Sequence, residues 1–108
     1  MKTKTILFTL AALLIGCSLF NTEPVITSLT ANNIIVSPGG IVALTCNAED
    51  DDEDDLTYIW SCSNGSLVPN GSIAIWTAPG YQGTYSISCE VTDGNDGSAI
   101  EIIDITVQ

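Results

Sequence analysis

Glu49-Asp50-Asp51-Asp52-Glu53-Asp54-Asp55 is the densest chemical feature of the chain, an unbroken run of carboxylates. Asp50, Asp52 and Asp54 alternate, a spacing that can present oxygens around one hard cation. Calcium takes six to eight oxygen ligands from carboxylates, amides and carbonyls. The run lacks the glycine and the closing glutamate of an EF-hand. Its other reading is a solvated loop whose charge keeps the protein soluble. The second chemical group is thiol: Cys17, Cys46, Cys62 and Cys89. The chain has no histidine, and its only basic side chains are Lys2 and Lys4. A cysteine nucleophile would therefore have no base to deprotonate it. The thiols also lack the short ligand intervals of a zinc site. General acid–base chemistry is left to carboxylates, and a glycosidase needs two of them held across a cleft. Here they crowd one loop, so no enzyme is expected.

The N-terminus carries a different kind of information. Lys2 and Lys4 precede an apolar run from Ile6 to Ile15, closed by small Gly16. This is the layout of an export signal. The run is too short to cross a bilayer, which takes roughly 20 residues. Removal of residues 1–16 would leave about 90 residues, enough for one domain with a modest core. Both lysines would leave too, taking the formal charge from −11 to about −13. Such a chain has no cation to meet a phosphate, so nucleic-acid binding is excluded. It can form no side-chain salt bridge, and its stability must come from apolar burial, backbone pairing and a disulfide or a metal.

Leu14-Ile15-Gly16-Cys17 resembles the end of a bacterial lipoprotein signal peptide. The resemblance implies cleavage before Cys17, lipid on its thiol, and a location on the cell envelope facing the periplasm or the exterior. More than one acyl chain is needed for stable anchoring, and the family's usual three suffice. Ser18 stands where an aspartate often retains Gram-negative relatives in the inner membrane, which favours the outer one. Residues 17–24 then form the lipidated N-terminus and a short tether, and residues 25–108 the domain.

From Val25 onward the pattern is β. Val25–Ala31 and Ile34–Ser37 are candidate pieces of a first strand. Ile41–Ala48 has Val42, Leu44 and Cys46 on one face. Leu56–Ser63 has Tyr58, Trp60 and Cys62, and Thr84–Thr92 has Tyr85, Ile87, Cys89 and Val91. Ile73–Thr77 is short, and Ser98–Val107 closes the domain. Asn64-Gly65 and Asn70-Gly71 read as hairpin turns. About seven short strands with regular turns predict an all-β antiparallel sandwich behind a cleaved signal helix.

Three segments carry a further resemblance. They are Gly83–Gly94 (Gly-Thr-Tyr-Ser-Ile-Ser-Cys-Glu-Val-Thr-Asp-Gly), Leu56-Thr57-Tyr58-Ile59-Trp60 after the acidic loop, and Trp76-Thr77-Ala78-Pro79. Together they look like the strands of PKD-like and related bacterial Ig-like domains, over Pro24–Gln108. The chain departs from PKD proper at Trp60-Ser61-Cys62-Ser63-Asn64-Gly65, where that family has Trp-Asp-Phe-Gly-Asp-Gly. The Ig pattern implies a Cys46–Cys89 bridge with Trp60 packed on it. Cys62 is a competitor for that bridge, and three free thiols are the remaining alternative. The pattern also brings the Asp93–Gly97 loop to the same end as the acidic run, so Asp93 and Asp96 join Asp50, Asp52 and Asp54 as candidate calcium ligands. Trp76 shares a face with Ala74 while Ile73 and Ile75 take the other, so it is read first as core or partly buried. Exposed beside Tyr81, the two would be the candidate binding surface, a place where a sugar or a protein could stack. The function expected is a membrane-anchored module for extracytoplasmic protein or carbohydrate interaction. The alternatives are an envelope spacer without a dedicated ligand and a calcium-dependent adhesion module.

Overall fold

The computed structural model describes residues 21–108. The signal segment, Cys17 and the first part of the tether lie outside the described residues. Eight strands follow in order: β1 (Val25–Ala31), β2 (Ile35–Val36), β3 (Ile41–Glu49), β4 (Thr57–Cys62), β5 (Ser66–Asn70), β6 (Ile73–Thr77), β7 (Gly83–Thr92) and β8 (Ser98–Val107). They make two four-stranded sheets, β1-β3-β6-β5 and β2-β8-β7-β4.

The all-β sandwich is as expected, with two additions. The first expected strand is split between the sheets. β1 pairs antiparallel with β3, and Asn32 ends that pairing by exchanging bonds with Ala43. The chain then crosses over and β2 runs parallel to the end of β8, so the second sheet is mixed. The other addition is β5, which pairs with β6 across the Gly71-Ser72 turn. Asn70-Gly71 is thus a hairpin turn as read. Asn64-Gly65 is not, because β4 and β5 lie in different sheets and the turn carries the chain between them.

Strand alternation puts the core between the sheets. Val42, Leu44, Ala74, Trp76, Ile87, Ile105 and Val107 are buried, as are Cys46, Cys89 and Val91 toward one end. Trp76 takes the buried alternative of the sequence reading and is 0% exposed, so it drops out of the candidate binding surface. Both faces of β6 are apolar, so the pattern alone could not orient it. The register does, setting Trp76 between Val42 on β3 and Leu67 on β5. Its Nε1 donates to the Asn64 carbonyl at 2.8 Å, and its ring meets Tyr85 at 6.1 Å. Gly65 makes room for it. There φ is +85°, and a Cβ would fall 2.6 Å from the Trp76 Nε1. Trp60 is half-buried between the two parts of the core, beside Cys89 in the register.

Candidate metal centre and thiol pair

Three segments converge at one end of the sandwich: the end of β3 with the acidic loop, the loop after β7, and the residues before β1. One carboxylate oxygen each from Asp50, Asp54 and Asp93 lie within 4.8 Å of one another. The strands explain this. Val25 faces Glu49 and Thr57 faces Thr92 in the ladders, so all three chain ends open onto the same edge.

Asp93 is the anchor. It is 4% exposed, and its Oδ1 accepts the amides of Asn95 and Gly97 at 2.7 and 2.9 Å. Its Oδ2 accepts the Asn21 side-chain amide at 2.7 Å. The Asn21 bond, followed by the two backbone donors, holds the carboxyl below the usual range despite its burial. Gly97 is required here, since a Cβ would run into the Asp93 carboxylate. Asp50 is the opposite case. Its Oδ1 accepts the Asp52 amide at 2.8 Å, but its Oδ2 is enclosed with no hydrogen-bond partner. Burial, and then the charges of Asp54, Asp52 and Asp93, push its pKa up. Asp54 accepts the side-chain amide of Asn95 at 3.0 Å.

The other two expected ligands stand apart. The alternation that would have aligned Asp52 with Asp50 and Asp54 is broken by a turn. Glu53 donates its amide to the Asp50 carbonyl and has a φ of 56°. Asp52 instead accepts the Thr22 amide at 2.6 Å. Asp96 is exposed at a positive φ of 71° and is not in the cluster. The sequence reading missed Asn21. It belongs to a stretch read as tether, yet it bonds both Asp93 and the Asn95 carbonyl. Asn21 and Thr22 are therefore tied to the folded domain, as is Pro24, which is buried.

Cys46 and Cys89 face each other from the two sheets, both fully buried. They belong to one buried cluster with Val91 and are free thiols, with no bond between them. Burial, and then the contact with Cys46, drive the Cys89 thiol up to about 12. Burial likewise raises Cys46. Neither is a ready nucleophile; both are free thiols here, at the two positions for which the Ig pattern implies a bridge. Cys62 is half-buried and points its sulfur at the Gly65 carbonyl, 3.8 Å away. Tyr81 is 77% exposed. It precedes β7 and so sits at the far end of that strand from Asp93. With Trp76 inside, the two do not form a common surface.

A family model described as a bacterial Ig domain matches residues 21–106. No curated protein matches the chain. Among solved structures, the chain is similar to a ZirS C-terminal domain with a TM-score of 0.53 and 12% identity, covering 100% of this chain and 85% of that one. A chimeric titin Z1Z2 functionalized with a KLER exogenous peptide from decorin has a TM-score of 0.45 and 17% identity, covering 80% of this chain and 95% of that one.

Proposed function

Since the chain belongs to the bacterial Ig domain family, whose members are typically non-catalytic surface modules, we propose that it is a binding module held on the cell envelope by lipid on Cys17. The observation that carries the anchoring is the leader itself, a short apolar run ending in Leu14-Ile15-Gly16-Cys17 behind two lysines. The described part of the chain suits it. Asn21 and Thr22 are already bonded to the domain, four residues from Cys17. At about 3.5 Å per residue the anchor and the acidic end lie within about 14 Å. The ligand is an extracytoplasmic protein or carbohydrate, since the absence of cations after Lys4 is unsuited to nucleic acid.

Radiolabelled palmitate tests the anchor. Label is expected on the wild-type chain and absent from Cys17→Ala, which also leaves the membrane fraction. An unlabelled wild type, or a labelled variant, removes the proposal.

A second reading, calcium at the acidic end, is favoured by one specific observation: the enclosed, unpartnered Asp50 Oδ2. No residue after Lys4 is basic, so the described part has no cation of its own to neutralise Asp50, Asp54 and Asp93. Those three would hold the ion, with a hard cation's preference for oxygen. Binding at a tenfold excess over Kd would stabilise the fold by about 1.4 kcal/mol, a Tm rise of roughly 5–10 °C. Melting with and without millimolar calcium, against magnesium and chelator, reads this directly. An unchanged Tm in calcium rules the site out.

A further inference from the structure

β4 is an edge strand without the usual protection. It ends its sheet, and no described strand pairs with its far side. Ser63 donates its amide to Ser86 on β7 at 2.9 Å. Antiparallel alternation then turns the amides and carbonyls of Tyr58, Trp60 and Cys62 toward the open side. Unpaired edges recruit other strands, and proteins guard them with proline, bulges, brevity or charge. The remaining edges carry such guards. β5 contains Pro69, β1 has a register irregularity between Ile26 and Ser28, and β2 has two residues. β8 carries Glu101 and Asp104 on the stretch that β2 leaves uncovered. β4 (Thr-Tyr-Ile-Trp-Ser-Cys) has no charge, proline or glycine, and its register with β7 is regular from Thr57 to Cys62.

The inner side of β4 is also unfinished. Tyr58, Trp60 and Cys62 are half-buried, whereas their register partners Val91, Cys89 and Ile87 are fully buried. A further strand would cover that apolar row. Charge says what kind of strand. The acidic run ends at Asp55, just before the Thr57 end of β4, and no residue after Lys4 is basic. An antiparallel addition brings its own C-terminal end to that place.

We propose that the free edge of β4 receives an extended segment of a partner protein, added antiparallel. Its alternate residues are apolar and face Tyr58, Trp60 and Cys62, and lysines or arginines follow at its C-terminal end beside the acidic loop. The main-chain bonds hold the segment and the charges set its direction. A second copy of this chain suits the edge poorly, because beyond Lys4 it brings no cation, and it joins two bodies each of formal charge −11 or more negative. The inference rests on the binding-module reading and names its partner.

The test uses the purified full chain in neutral detergent and a probe peptide, Thr-Val-Thr-Val-Thr-Val-Lys-Lys-Lys. The expected result is at least tenfold slower hydrogen exchange at the Tyr58, Trp60 and Cys62 amides. Moving the lysines to the N-terminus should weaken binding about tenfold, and replacing them by glutamate should abolish it. Tyr58→Pro removes an outward amide, a change that edge strands tolerate, and should lose the peptide. Ile59→Lys spares the core, since Ile59 is 50% exposed. It should weaken binding at least tenfold with an unchanged circular dichroism spectrum. No binding, equal affinity for both lysine placements, or protection on another strand overturns the proposal. So does concentration-dependent dimerisation that protects β4 without peptide, which would assign the edge to a second copy. None of these outcomes touches the palmitate result on Cys17, so the two readings fail separately.

Discussion

Asp50 and Asp93 are the same residue type a few ångströms apart, and their surroundings drive them in opposite directions. Asp93 has three hydrogen-bond donors on its carboxylate, so its charged form is favoured. Its folded pKa is lowered. The stability it contributes is present above the ordinary carboxylate range and is lost as pH falls through the lowered value. Asp50 has one enclosed oxygen without a partner and three acidic neighbours. Its folded pKa is raised. Its contribution is fully present below the ordinary range and is lost as pH rises through the raised value. At neutral pH Asp50 is therefore a cost to the fold unless a cation joins it. Asp50→Asn in chelator is expected to raise Tm at pH 7 by roughly 2–5 °C, and the gain should shrink toward pH 4. Asp93→Asn should lower Tm at pH 7, because one amide cannot accept all three donors. Thermal melts across pH check both signs. If Asp50→Asn destabilises at neutral pH, the unpartnered oxygen is not the liability described.

The thiol pair belongs to the scale of elements, because it ties β3 in one sheet to β7 in the other. An oxidising compartment permits a bridge there, and Cys46 and Cys89, free thiols in one buried cluster, are the pair from which it would form. It would close a loop of about 44 residues, worth roughly 4 kcal/mol by the chain-entropy argument. Protein isolated under oxidising conditions should be two mass units lighter than the reduced form, with Cys62 but neither Cys46 nor Cys89 open to alkylation after denaturation. Reduction should lower Tm by at least about 10 °C, and Cys62→Ser should leave that difference intact. A bridge that includes Cys62 would show as a lost difference in that variant. The same strands explain what could be read from the sequence. β3 and β7 bury one face and alternate cleanly, so their inward residues were legible. β6 is apolar on both faces, so the pattern left open which face holds the core and with it the place of Trp76. β5 is bounded by turn residues and contains Pro69, which marks an edge strand as readily as a loop. At the acidic end, Asp50, Asp54 and Asp93 followed from loops sharing one end of the sandwich. Asp52 did not, because the turn at Glu53 reverses the alternation. Asn21 gave no signal, since residues ahead of a first strand carry no period.

On the scale of the whole molecule the chain has an unusual electrostatic ledger. All thirteen Asp and Glu follow Cys17, and both lysines precede it. In the described part every interaction between side-chain charges is therefore repulsive, with no ion pair to set against it. The charge is also lopsided. The acidic run and Asp93 gather at the end next to Asn21, while the opposite end, where Gly83 faces Val107, carries none of that run. Repulsion among surface charges is screened within a Debye length, which falls from about 30 Å at 0.01 M salt to about 3 Å at 1 M. Most soluble proteins lose attractive pairs as well as repulsive ones when salt is added, so the net effect is small. Here only repulsion can be lost. Tm is expected to rise steadily with sodium chloride over that range. The slope should be shallower in the Asp51→Asn, Glu53→Gln, Asp55→Asn triple variant, which thins the exposed part of the run and leaves Asp50, Asp54 and Asp93 in place. The variant separates charge screening from the general effect of salt on apolar burial, which the two proteins share. Equal slopes would assign the salt response to burial alone, and the acidic end would then contribute nothing measurable to the stability of the sandwich.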